Sequence, residues 1–116
     1  MVREQTARAL LFDDRQDEEV VRIECFIAED GRLHLVQVSS GPWSAWCFED
    51  DPHRIETTAS RETTDALCAH FNLTGAQRLP AVLQLLYAGI DAAHRIRELM
   101  ASLQLDYEVR EGEMRR

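Results

Sequence analysis

The chain has 116 residues, of which 45% are hydrophobic and 29% charged, a balance that excludes a disordered chain and suits one domain with its own core. Its 21 acidic and 13 basic residues give a formal charge of −8. Such a surface repels nucleic-acid phosphates and anionic membranes and attracts basic partners.

The opening MVREQTARALLFDDRQ contains no long apolar run, so no signal peptide is expected. The longest apolar stretch, residues 79–90, is interrupted by Pro80, Gln84 and Gly89 and is too short to span a bilayer. A cytoplasmic protein is therefore expected. Cys25, Cys47 and Cys68 are far apart, odd in number and in no CxxC arrangement, so they read as free cysteines acting as small hydrophobes.

Residues 7–12 are apolar and suit a short strand or a helical turn. Residues 13–19, with Asp13, Asp14, Asp17, Glu18 and Glu19, read as an exposed acidic loop. In residues 20–28, Val21, Ile23, Cys25 and Ile27 alternate with Arg22 and Glu24, the period of a strand with one wet face; Phe26 suggests partial cover on the second face. Asp30-Gly31 between alternating segments predicts a tight hairpin turn. The return strand, residues 33–39, puts Leu33, Leu35 and Gln37 on one face and His34, Val36 and Val38 on the other, and Ser40-Gly41-Pro42 breaks it.

Residues 43–48, with Trp43 and Trp46, form a further strand candidate. The polar turn Glu49-Asp50-Asp51-Pro52 follows, then a β-branched strand over residues 53–58. Ser60 suits an N-cap for a helix over residues 61–71. Pro80 fits the first turn of a second helix with Leu79, Val82, Leu83, Leu86 and Ile90 on its apolar face, and Gly89 suits its stop. Asp91 opens a third helix over residues 92–103, unless the two are one helix kinked at Gly89. Leu105, Tyr107 and Val109 alternate as a last short strand, and residues 111–116 read as a flexible tail after a single domain over residues 1–110. Strands followed by helices predict an α+β fold: an antiparallel meander of about four strands, with a fifth C-terminal one, and two to three helices on one face.

The Val21-Arg-Ile-Glu-Cys-Phe-Ile stretch, the Glu-Asp-Gly-Arg-Leu turn, the acidic Glu-Asp-Asp turn into a β-rich segment, and the late Ala-Gly-Ile-Asp and Leu-Asp-Tyr-Glu-Val stretches together resemble small bacterial α+β proteins. Those proteins are regarded as immunity factors of polymorphic toxin systems. The resemblance covers most of residues 20–109 and implies a toxin-neutralising role, but it transfers no functional residue. Pro52 and His53 depart from it, standing where those proteins tend to carry glycine and aromatic residues.

Chemistry-bearing patterns are sparse. Cys68 and His70 fall on different faces of one helix, and Glu49, Asp50, Asp51 and His53 are read as a turn rather than as metal ligands. No HExxH, GxSxG, GxGxxG or P-loop pattern occurs. No catalytic residue, cofactor or metal is assigned. The expected function is a protein-binding module, an immunity protein that neutralises a basic toxin domain through acidic complementarity. Its contact residues are Asp13, Asp14, Asp17, Glu18, Glu19, Glu49, Asp50, Asp51 and His53, with one of Trp43 and Trp46 as an exposed anchor. Two other readings stand beside it. One is a small regulatory subunit self-associating, as a homodimer for example, through Leu83, Leu86 and Ile90; the other is an enzyme with a cryptic site. Neither a nucleic-acid nor a membrane partner is expected.

Overall fold

Alternation decides the first half of the molecule. The computed structural model describes residues 7–16, 19–41 and 53–113. Four strands follow one another in it: β1 (Arg8–Gln16), β2 (Glu19–Ile27), β3 (Leu33–Ser40) and β4 (His53–Ala59). Each pairs antiparallel with the next. The helices α1 (Arg61–His70), α2 (Leu79–Tyr87, entered through a single 3₁₀ turn at Ala76–Arg78) and α3 (Ala92–Ser102) come next, and β5 (Tyr107–Glu113) then pairs antiparallel with β4. The result is an α+β fold, a five-stranded meander in the order β1-β2-β3-β4-β5 with three helices against it. The candidate strand over residues 43–48 lies outside the described residues.

Ile23, Cys25 and Ile27 of β2 stand opposite Gln37, Leu35 and Leu33 of β3, so their side chains share one face of the sheet. The helices cover that face. Their contribution is a stripe at helical spacing: Leu67 and Cys68 from α1, Leu79 and Leu83 from α2, and Ala92, Ala93, Ile96 and Met100 from α3. Ile23, Cys25, Leu67, Leu79, Leu83, Ile96 and Met100 are fully buried.

The turns have local causes. Gly31 sits at φ +85° in the β2–β3 hairpin, a conformation that costs glycine nothing. Ser60 caps α1, its Oγ accepting the Thr63 N–H at 3.1 Å. Thr64 ties this cap to the sheet: its Oγ1 donates to the Ser60 carbonyl at 2.8 Å and accepts the Leu33 N–H at 3.0 Å. Helices α2 and α3 are separate. The chain leaves the helix after Tyr87, and Gly89 takes φ +137° before α3 begins. Asp91 occupies the N-cap position of α3 without a side-chain capping bond.

Two expectations change. Residues 13–16 belong to β1 and Glu19 to β2, so the described part of the acidic segment is two paired strand ends rather than a loop. Charged residues suit an edge strand because their side chains reach water or a cross-strand partner, and Asp13 faces Arg22 at 3.7 Å. At the other edge, β5 runs to Glu113 rather than fraying after Arg110, because Glu111, Gly112 and Glu113 pair with Ile55, Arg54 and His53.

Candidate partner-binding surface

The meander sorts the expected contact residues by the ends of its strands. The end of β1, the start of β2, the end of β3, the start of β4 and the end of β5 all lie at one end of the sheet. Asp13, Asp14, Glu19, His53 and Glu111 therefore belong to that end. Asp13 and Asp14 are exposed and Glu19 is half-buried. The Glu29-Asp30 hairpin turn and Asp106 lie at the opposite end, so the acidic turns do not merge into one field. Asp17, Glu18, Trp43, Trp46, Glu49, Asp50 and Asp51 lie outside the described residues.

His53 is not part of an exposed turn. It opens β4 on the helix-covered face, is only 4% exposed, and its Nε2 lies 2.9 Å from Glu111 Oε2 on the neighbouring strand. That contact between residues far apart in sequence holds the ring, so the strand reading of residues 53–58 holds for His53 and its grouping with an exposed turn does not.

The middle of the second face, opposite the helices, pairs charges across its strands. Arg8 Nη1 donates to Glu24 Oε1 at 3.0 Å, and its guanidinium lies 4.7 Å from the centre of the Phe26 ring. Phe26 stacks on His34 with ring centres 4.9 Å apart. His34 Nδ1 is 2.9 Å from Glu56 Oε2, and Arg54 Nη2 donates to Glu56 Oε1 at 3.2 Å. Carboxylates and cations alternate along this ladder, which leaves little field for a charged partner.

The β1 edge differs. Helix α2 is apolar nearly all round: Leu79, Pro80 and Leu83 are buried, whereas Leu85 is 82% and Leu86 48% exposed. Leu83 is thus part of the core and closed to a partner, while Leu86 and Ile90, the latter 62% exposed, are open. Two hydrogen bonds fasten this end of the helix to the edge strand. Gln84 Nε2 donates to the Leu10 carbonyl at 2.8 Å, and the Gly89 N–H donates to the Leu11 carbonyl at 3.0 Å. They act where β1 bulges between Leu10 and Phe12. Leu10, itself 38% exposed, and the carboxylates of Asp13 and Asp14 follow along the same strand. An exposed apolar patch on a helix fastened to a strand that also carries carboxylates is the composition of a protein-binding surface. The exposure of Leu85 was the part the sequence hid; the all-round apolar character of the helix was its signal.

Among the described residues, two cysteines are candidate reactive groups. Burial pushes the Cys25 thiol up to about 12, a backbone hydrogen bond at Ala9 offsetting this only in part, and burial also raises Cys68. Both stay protonated at neutral pH and make poor nucleophiles. A shallow cleft of about 240 Å³ at the start of β5 is lined by Arg32, Thr58, Ser60, Asp106, Tyr107 and Glu108. Its Ser60 hydroxyl is engaged in capping α1, with no histidine or cysteine beside it. Among the described residues, no three His, Cys, Asp or Glu side chains are grouped to hold a metal ion, and no helix is long and apolar enough to cross a membrane. Comparison of the chain with family models, curated proteins and solved structures finds no match.

Proposed function

We propose that the chain is a protein-binding module, an immunity protein that neutralises a basic toxin domain. The observation that carries this reading is the exposed patch of Leu85, Leu86 and Ile90 fastened to the edge strand that bears Asp13 and Asp14. The leucines supply an apolar anchor in addition to the one expected at Trp43 or Trp46, and the carboxylates supply attraction for a cationic cleft. The formal charge of −8 adds long-range steering towards a basic partner.

The test looks for a basic toxin domain in the neighbouring reading frame and co-expresses any found there with the chain. The native chain is expected to restore growth. The double variant Leu85→Asp and Ile90→Asp should keep its circular dichroism, because both side chains already face water, yet weaken binding at least ~30-fold and fail to protect. Asp13→Ala with Asp14→Ala should slow association and flatten its salt dependence while changing dissociation little. Full protection by the leucine variant would remove the patch from the interface, and a chain that protects against no toxin would sink the immunity reading.

A further inference from the structure

The two edges of the sheet are treated differently. On β1 a bulge interrupts the ladder, and Gln84 and Gly89 occupy the carbonyls of Leu10 and Leu11. Bulges and covering segments are how sheets stop their edges from pairing with other chains. On β5 the register with β4 runs unbroken from Tyr107 to Glu113, without proline or lysine. Among the described residues, no backbone hydrogen bond outside the β4 ladder reaches this strand. Glu108, Arg110 and Glu111 are exposed, and Val109 is 46% exposed, unusual for a valine within a strand.

Charged residues normally protect an edge by repelling whatever approaches, but here their order makes the strand complementary to itself. In an antiparallel pair of identical strands related by a two-fold axis, each residue faces one at the same distance on the other side of the axis. An axis at Arg110 would set Arg110 against its own copy, and an axis at Glu108 would set two carboxylates together. An axis at Val109 sets Val109 against Val109, each Glu108 against the partner copy's Arg110, and each Tyr107 against the partner copy's Glu111. Glu108 and Arg110 are two apart and so share the face opposite the helices, where their opposite charges meet directly.

From the β5 edge, which among the described residues has no backbone partner on its outer side, and from this charge order we infer that the chain forms a two-fold homodimer by antiparallel β5–β5 pairing centred on Val109. The two sheets join into one continuous sheet whose helices all lie on the same side. The β1 edge, with the leucine patch, stays outermost in each copy. This dimer is independent of the toxin-binding reading and compatible with it.

Charge reversal tests the register. Light scattering of the native chain up to about 1 mM should show a particle of twice the 13.3 kDa chain mass. Glu108→Arg puts two like cations opposite each other, Arg110→Glu puts two like anions there, and each should be monomeric with unchanged circular dichroism. The double variant restores opposite pairs and should dimerise again. Mixing the two single variants should give a heterodimer that neither forms alone. A native chain monomeric throughout would overturn the proposal and leave the edge to a strand of another protein. Single variants that dimerise as well as the native chain would overturn it equally.

Discussion

Thr64 shows how much can depend on one hydroxyl. It is fully buried, its Oγ1 donates to the Ser60 carbonyl, and it accepts the N–H that opens β3 at Leu33. Thr64→Val keeps the shape and leaves that buried N–H without a partner, so it should cost about 1–3 kcal/mol of stability, measured by urea unfolding. Thr64→Ser should retain most of the lost stability; equal losses in both variants would mean that packing, not the hydrogen bond, is at stake. Cys25 links burial to pH. The folded state holds its proton up to about 12, whereas an unfolded thiol ionises near 8.5, so the unfolded state binds fewer protons between these values. Stability conferred by this group is complete below that window and falls by about 1.4 kcal/mol per pH unit as pH rises through it. The urea midpoint should therefore drop more steeply from pH 9 to 11 in the native chain than in Cys25→Ala, although the variant starts lower for want of packing. Parallel curves would show that Cys25 does not govern the alkaline limb.

At the scale of elements, α1 and α3 end alike. After Phe71 and Leu103 the chain enters the left-handed region at Asn72, φ +60°, and Gln104, φ +62°. The next amides, of Leu73 and Leu105, then bond back to the carbonyls of Cys68 and Met100 at 2.8 and 2.9 Å. Glycine usually occupies this position, and Gln104 pays the steric cost of a side chain there. Gln104→Gly should raise stability by about 1 kcal/mol in urea unfolding, and a loss would show that its side chain does more than fill the turn. Such terminations lack the glycine that marks a helix stop, so composition alone did not reveal them. The hairpin at Asp30-Gly31, the cap at Ser60 and the break at Gly89 were legible because each depends on the chemistry of neighbouring residues. The first strand was not: Asp13 and Asp14 look like loop residues until Arg22 and Val21 stand across from them. The extension of β5 past Arg110 likewise depends on β4, not on anything within residues 111–113.

Over the whole molecule, the α+β architecture was readable because period-two and helical patterns occupy separate stretches of the chain. The candidate surface was readable only in part. Acid-rich segments announce themselves by composition, but whether they meet depends on which strand ends coincide, and the Glu29-Asp30 turn falls at the far end of the sheet from Asp13. The exposed side of α2 was hidden because a leucine in the core and a leucine in water read identically in a sequence; only the placement of α2 on the bulged edge tells Leu83 from Leu85. The position of β5 also sets an order of events. Strands β1 to β4 follow one another and close through nearby residues, but β5 must wait for all three helices to be made before it reaches β4. Until β5 docks, β4 is the margin of the sheet formed by the earlier strands. Docking of β5 creates the outer strand whose charge order is self-complementary, so a subunit would recognise its copy only after β5 is in place, and a chain with β5 undocked would lack the surface for pairing.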